Sequence, residues 1–164
     1  MGKTLIVADA SLLIGLAAAG AFDLLRRLYG TLLITRVVKE EVAAGAGLPG
    51  AQELDAAMRS GWIRVAPAPP ETWTMAGLDA GEASTIALAS QHAGTAKVLI
   101  DDALGRDRAA ALGLEVVGIA GVLLAAKRAN LIRDVRPFLD RLARRGFTLP
   151  RESVRAALEE SGER

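Results

Sequence analysis

The segments Leu5-Ile6-Val7-Ala8-Asp9 and Lys97-Val98-Leu99-Ile100-Asp101-Asp102 are short apolar runs that end in acidic residues, and they decide the fold of this chain. Strands this apolar are typical of a parallel sheet that helices cover on both faces. Ligands bind open parallel sheets outside the carboxyl ends of the strands. We therefore expect acids from two separate strands to meet at that edge. Because gathered carboxylates repel one another, a divalent cation is the simplest reason for the arrangement.

Outward from these two strands, the sequence alternates between strand-like and helical segments. Further apolar segments of strand type are residues 31–34, 62–65 and 114–117. The helical segments between strands are long enough for right-handed crossovers. This order predicts an α/β fold, a three-layer α/β/α sandwich with a central, mainly parallel sheet. The expected helices are residues 11–19, 22–29, 36–44, 49–58, 79–92, 103–112, 119–128, 134–145 and 151–160, with a helical turn at 71–76.

The chain of 164 residues fits one domain with a proper core. The last two helices have no strand between them, so we expect residues 1–130 to form the main domain and residues 131–164 a helical extension packed on it. Two hydroxyls, those of Ser11 and Thr35, are expected to cap the helices that begin beside them. Pro150 is expected to open the last helix.

Charge is spread unevenly, although the net charge is only +1. Residues 1–122 carry 10 Lys/Arg against 13 Asp/Glu, whereas residues 123–155 carry 9 against 3. A basic segment beside an acidic site suits the binding of phosphates. The solvated face of surface helices is the commoner explanation for such a cluster.

The chain contains no cysteine, which excludes disulfides and thiolate metal sites. A cytoplasmic location is the default expectation for such a composition. No uninterrupted apolar run reaches the roughly 18 residues that a membrane span needs, so no membrane partner is expected.

Five acids stand where the fold would gather them: Asp9, Glu41, Glu82, Asp101 and Asp102. Taken singly, each has an ordinary structural explanation as a helix cap, a dipole partner, a turn residue or a surface charge. Taken together, they have no comparably simple structural explanation. Oxygen ligands suit Mg²⁺ or Mn²⁺, and the absence of cysteine and the single histidine disfavour Zn²⁺.

Four strings stand in order along the chain. They are Val7-Ala8-Asp9-Ala10-Ser11, Ile34-Thr35-Arg36-Val37-Val38-Lys39-Glu40-Glu41-Val42, Leu78-Asp79-Ala80-Gly81-Glu82-Ala83 and Leu99-Ile100-Asp101-Asp102. Their order and spacing resemble the PIN domain, the fold of VapC-type toxin ribonucleases and related nucleases. In a bacterial and archaeal subgroup of PIN-like proteins, Gly-Glu-Ala and Ile-Asp-Asp are typical strings. The resemblance covers nearly the whole chain and implies that residues 1–130 form a PIN-like nuclease domain.

The resemblance implies catalytic, metal-binding roles for Asp9, Glu41, Glu82 and Asp102. Asp101 is an extra acid that stands as a second metal ligand or a supporting residue. Neighbours on a strand point to opposite sides, so only one of the two aspartates is expected to face the metal directly. By alignment we favour Asp102.

Other residues are expected to support the acids. Ser11 matches a small polar position that often supports the site in the family. Arg36 and Arg106 could bind backbone phosphates, or they could form ion pairs with nearby acids.

The function implied is that of a Mg²⁺- or Mn²⁺-dependent endoribonuclease that hydrolyses phosphodiester bonds, with one metal or two. It could be the toxin of a toxin–antitoxin pair, with RNA and an antitoxin protein as partners. The alternative is a non-catalytic PIN-like module that binds RNA or protein. The resemblance also implies a homodimer, and the apolar region of residues 12–28 could supply its interface or could be core. The choice between RNA and DNA stays open at this point.

Overall fold

A computed structural model describes residues 4–67, 76–92 and 94–163 of the chain. Its centre is a five-stranded sheet in the order β3-β2-β1-β4-β5, in which every neighbouring pair is parallel. The predicted α/β class is therefore confirmed. The strands are β1 Leu5–Ala8, β2 Leu32–Ile34, β3 Ile63–Val65, β4 Ala96–Leu99 and β5 Glu115–Val117.

The strand order reverses direction between β1 and β4, which lie side by side at the middle of the sheet. They pair in register from Leu5 opposite Ala96 to Ala8 opposite Leu99. The N–H of Asp9 donates to the carbonyl of Leu99 at 2.9 Å and extends this pairing to the strand end. The acids that follow these strands consequently emerge at the switch point, where ligands bind in open α/β sheets.

Nine helices lie within the described residues, and they connect and cover the strands. Each expected helix outside residues 71–76 is present, with ends that differ by a few residues at most. The expected turn at 71–76 lies, apart from its last residue, outside the described residues. The helices are α1 Ala10–Ala18, α2 Asp23–Tyr29, α3 Arg36–Ala44, α4 Ala51–Arg59, α5 Ala80–Ser90, α6 Ala103–Ala111, α7 Ile119–Arg128, α8 Arg136–Arg144 and α9 Arg151–Glu160.

Two apolar clusters, one on each face of the sheet, make this a three-layer structure. Along β1, Val7 belongs to one cluster while its neighbours Ile6 and Ala8 belong to the other. This alternation is what a strand buried on both faces requires. Leu12 and Leu25 are fully buried in the larger cluster, whereas Ile14, Ala17 and Leu28 pack against it partly buried, so most of the apolar part of residues 12–28 is core.

The C-terminal helices contribute to the same core as the sheet. Leu139 and Leu142 of α8 lie in the larger cluster, α8 packs on α1, and α9 packs on α7. The Glu163 carboxylate accepts hydrogen bonds from the N–H groups of Val135 at 2.8 Å and Arg136 at 3.0 Å. The end of the chain is therefore tied to the first turn of α8.

The cap at α1 differs from the expectation. α1 begins at Ala10, and the Ser11 hydroxyl donates to the Asp9 carboxylate instead of capping the helix. The expected cap at Thr35 is confirmed, since its hydroxyl accepts from the N–H of Val38 at 3.1 Å. Pro150 stands at the N-cap of α9, as predicted. Within the described ranges no helix combines the length and apolarity that crossing a membrane takes.

Candidate metal centre

Asp9 is the deepest acid at the carboxyl edge of the sheet, with only 2% of its surface exposed. The Ser11 hydroxyl donates to its Oδ2 at 2.9 Å, whereas the buried Oδ1 has no hydrogen-bond partner. Burial raises the pKa of Asp9 and the charge of Asp79 raises it further, whereas the Ser11 hydroxyl and the nearby backbone N–H groups of Ala10 and Ser11 lower it. Burying a carboxylate oxygen without a hydrogen-bond partner costs free energy, so a ligand at Asp9 Oδ1 would offset that cost.

Glu41, on the C-terminal half of α3, lies against the first turn of α5. A Cβ placed on Gly81 would stand 2.9 Å from Glu41 Cδ and 3.1 Å from its Oε2, which is closer than side chains tolerate. Desolvation raises the pKa of Glu41, the charges of Asp79 and Asp9 raise it further, and hydrogen bonding to the Gly81 backbone opposes them. The missing side chain at residue 81 therefore permits this approach.

A buried hydrogen-bond chain holds α3 against α5. The Thr35 hydroxyl accepts from the N–H of Val38 and lies 2.7 Å from the Ser84 hydroxyl. Ser84 in turn donates to the carbonyl of Gly81 at 2.9 Å, so Thr35 is the donor of the pair. The helix that carries Glu41 is thus fixed to the helix that carries Glu82.

Asp79 and Glu82 form a capping box at the start of α5. The N–H of Glu82 donates to Asp79 Oδ1 at 2.8 Å, and the N–H of Asp79 donates to Glu82 Oε2 at 3.3 Å. Desolvation, followed by the charges of Asp79, Asp102 and Asp9, raises the pKa of Glu82 to about 7. We did not single out Asp79 as a site residue from the sequence. Its spacing of three from Glu82 is the capping-box signal that could have found it.

The two aspartates after β4 have different neighbours. Asp102 caps α6, where its Oδ2 accepts from the N–H of Gly105 at 2.8 Å. The Oδ1 of Asp101 accepts from the N–H of Ile119 at 2.9 Å, at the start of α7. Both aspartates therefore accept a hydrogen bond from the start of a helix, which is one of the ordinary structural roles expected of these acids. Asp102 is the one whose charge acts on Glu82.

A cleft of about 330 Å³ opens beside these acids. Glu82, Asp101, Asp102 and Ser11 line it together with residues 147–150, from the loop between α8 and α9. Sequence reasoning treated that segment as part of a peripheral extension and missed its place. The full lining is Ser11, Glu82, Asp101, Asp102, Ala103, Ile119, Phe147, Thr148, Leu149 and Pro150.

Mutual charge effects identify the acids that share one region. Asp79 raises the pKa of Asp9, Glu41 and Glu82, while Asp9 raises that of both glutamates, and Asp102 raises that of Glu82. The fold thus brings together four of the five predicted acids and adds Asp79. Asp101 borders the same cleft and contributes to none of these shifts.

In the part of the chain that the structure describes, no group of three acidic side chains is arranged to hold a metal ion. Repulsion between carboxylates explains this, because several of them turn to helix N–H groups instead. The donor set still fits a hard divalent cation, since all its donors are oxygens and Asp9 Oδ1 is buried without a partner.

The two predicted phosphate-binding arginines lie at the margins of this region. Arg36 is the exposed first residue of α3. Arg106, on α6, lies near Gly118, and its Nε is buried without a hydrogen-bond partner. Within the described ranges neither side chain forms a salt bridge. The ion pairs considered for them are thus not seen there.

Comparison with known proteins agrees with the fold. A family model described as a PIN domain, DUF3368, matches residues 5–163. The fold is similar to that of a PilT N-terminus domain protein from the hyperthermophilic archaeon Sulfolobus solfataricus P2, with a TM-score of 0.57 and 17% identity. That alignment covers 74% of this chain and 93% of the archaeal one. No curated protein matches the sequence.

Proposed function

This chain belongs to the PIN-domain family, and from that membership we propose that it is a divalent-metal-dependent ribonuclease that hydrolyses internal phosphodiester bonds. One observation carries the proposal: Asp9 Oδ1 is buried at the switch point of the sheet and lacks a partner. Burial, and after it the charges of other acids, raises the pKa of Asp9, Glu41 and Glu82. A cation would supply the missing partner and offset the repulsion at the same time.

Asp9, Glu41, Glu82 and Asp102 are the residues that would hold Mg²⁺ or Mn²⁺. Asp101 would support them by capping α7 beside the cleft, or would act as a further ligand. A bound ion would supply Lewis-acid chemistry, activating water and stabilising negative charge on the phosphate and the leaving oxygen.

The protein's own side chains have separate tasks. The Ser11 hydrogen bond holds the Asp9 carboxylate in one orientation. Before an ion binds, the pKa of Glu82 is raised to about 7, chiefly by burial, so binding of a cation by Glu82 would release a proton near neutral pH. Arg36 and Arg106 would bind phosphate oxygens, for which a guanidinium offers paired N–H donors.

A second candidate is a non-catalytic module that binds RNA or protein. It is favoured by the helix caps, because Asp79, Glu82, Asp101 and Asp102 each accept a hydrogen bond from a backbone N–H. This candidate does not account for Asp9 Oδ1, which is buried without a hydrogen-bond partner. We therefore prefer the enzyme.

The experiment is cleavage of a labelled single-stranded RNA, with a DNA of the same sequence alongside. We expect RNA cleavage with Mn²⁺ or Mg²⁺, none with a chelator, and none from Asp9→Asn. Ser11→Ala is the matched variant, because it alters the same contact but keeps the carboxylate; it should retain reduced activity. Cleavage that survives Asp9→Asn would exclude the proposed site, and a metal-independent binder would support the second candidate.

The proposal extends to biological setting. We place the protein in the cytoplasm, as a homodimer and as the toxin of a toxin–antitoxin pair. Light scattering of the purified protein tests the dimer. A gene for a small DNA-binding protein immediately upstream, whose product blocks cleavage, would support the antitoxin, and its absence would count against it.

A further inference from the structure

The loop between α8 and α9 forms one wall of the acidic cleft. Phe147, Thr148, Leu149 and Pro150 line the same cleft as Glu82 and the two aspartates after β4. This loop belongs to the C-terminal extension, which is far from the acids in sequence. A molecule that occupies the cleft would therefore contact both the acids and the extension.

Three exposed arginines flank this wall. Arg144 and Arg145 end α8 immediately before the loop, and Arg151 begins α9 immediately after it. None of the three forms a salt bridge within the described ranges, whereas Arg128, Arg133 and Arg155 do. Their charges are therefore available to a ligand.

Neither Arg145 nor Arg151 lines the cleft itself, but short chain distances place both beside the segment that does. Consecutive Cα atoms are about 3.8 Å apart, so Arg151 stands one such step from Pro150, and Arg145 two from Phe147. A guanidinium binds phosphate through paired N–H donors and stays charged at any physiological pH. Acids on one wall would repel a polyanion, and cations on the other wall would offset that repulsion.

From this arrangement we propose that Arg145 and Arg151, on either side of the 147–150 wall, bind the phosphate backbone of a single nucleic-acid strand as it enters the acidic cleft. The inference rests on the proposed function, because it names the surface that delivers substrate to the same site. An acidic protein segment is the competing occupant. The nucleic acid is favoured because the same cleft contains the acids that we propose to cleave a phosphodiester backbone, whereas an acidic peptide would add carboxylates to carboxylates.

The wall favours backbone contact over base recognition. Phe147 packs inward, where its Cδ1 would lie 3.8 Å from a Cβ on Gly15 of α1. It is also part of the apolar packing around the larger core cluster. Its ring is therefore held against the core and only partly exposed to the cleft, which limits stacking on a base. We expect a strand to be held with little sequence preference.

The test measures binding of a fluorescein-labelled single-stranded RNA by anisotropy, in a chelator, so that cleavage does not interfere. The double variant Arg145→Gln, Arg151→Gln is compared with Arg26→Gln, Arg27→Gln. The control pair lies in the last turn of α2. Tyr29, the last residue of that helix, borders a depression with Thr4 and Leu5 at the amino edge of the sheet, whereas the acids lie at the carboxyl edge. Both variants remove two exposed positive charges.

Losing two phosphate contacts should lower the slope of log K against log salt by roughly 1 to 2 and weaken binding on the order of tenfold at about 0.1 M salt. The control should bind nearly as wild type does. Equal losses in both variants, no loss in the first, or wild-type protein that binds an acidic peptide but not RNA would each overturn the inference. RNA held through these arginines but left uncut with Mn²⁺ would support the surface and count against the proposed catalysis.

Discussion

The carboxylate of Glu41 occupies the space that a side chain on Gly81 would need, with Cδ only 2.9 Å from the position of a Cβ there. The two residues come from α3 and α5, which are forty positions apart in sequence but joined by the Thr35–Ser84 hydrogen bond. The carboxylate is the end of a flexible, exposed side chain, so it is the group that would move if residue 81 carried a side chain. Residue 81 is thus a positioning residue for Glu41.

Gly81→Ala should therefore displace Glu41 and weaken Mn²⁺ binding by roughly 10- to 100-fold, the usual effect of disturbing the support of a metal ligand. Calorimetric titration with Mn²⁺ measures this. In a Glu41→Ala background the same substitution has no carboxylate to displace. There it should be neutral or stabilising by up to about 1 kcal/mol, as for glycine to alanine in a helix. Equal effects in both backgrounds would contradict the collision.

Asp9→Asn should change stability in opposite senses with and without metal. In a chelator the neutral amide removes a buried charge and its repulsion, so we expect unfolding to cost about 1 kcal/mol more than in wild type. With Mn²⁺ at a hundredfold excess over Kd, wild type should gain about 2.7 kcal/mol and the variant nothing. Denaturant unfolding measures both values. A variant that gains as much from Mn²⁺ as wild type would remove Asp9 from the ligand set.

Glu82 should make the metal-free protein less stable as pH rises. Its pKa is raised from 4.5 to about 7 in the folded state, so between these values the folded chain holds more protons than the unfolded chain. Stability then falls as pH rises through this window and levels off above pH 7. Thermal unfolding in a chelator should show the decline, and Glu82→Gln should reduce it. Mn²⁺ should reverse the trend, since it binds the ionised form.

Substitutions of Asp101 and of Asp102 should differ in their effects on metal affinity and on stability. Asparagine caps a helix about as well as aspartate, so Asp102→Asn should leave unfolding nearly unchanged while it weakens Mn²⁺ binding. Asp101→Asn should retain Mn²⁺ affinity, and Asp101→Ala should cost about 1 kcal/mol through the lost bond to Ile119. Titration of the two asparagine variants decides the assignment. A larger affinity loss at residue 101 would reverse it.

Glu163 should stabilise the C-terminal extension in a pH-dependent way. Desolvation acts to raise its pKa, but hydrogen bonds from the N–H groups of Arg136 and Val135, with smaller ones from Ser161 and Lys127, lower it to about 2. Its contribution is therefore complete above the ordinary value of 4.5 and lost as pH falls towards 2. Glu163→Gln should cost about 2 kcal/mol at neutral pH and little near pH 2, measured by urea unfolding. A cost that does not change with pH would contradict the ionic role.

Local patterns were enough to predict most of the fold. Val7 and Val98 lie within apolar runs that are typical of a sheet buried on both faces. Thr35 is a residue type that favours the N-cap, and it directly precedes a helical segment, so its cap could be predicted. These features depend on neighbours within a few residues. The predicted gathering of Asp9 with Glu41 and Glu82 also followed from strand order and family resemblance, and charge coupling between them agrees. Their role as metal ligands stays a prediction.

Distant packing decided the rest, because contacts between elements leave no periodic trace in sequence. From the sequence, Asp79 is an ordinary helix cap. Only the position of α5 in the fold brings the charge of Asp79 close enough to raise the pKa of Asp9 and Glu41. From the sequence, the segment 147–150 is a linker between surface helices. The packing of α8 on α1 and of α9 on α7 brings it to the cleft that the acids also line. The sequences of the strands alone predicted the edge of the sheet at which the acids that follow them lie. The wall that faces them, with its arginines, exists only because the C-terminal helices bury their apolar sides against the same core.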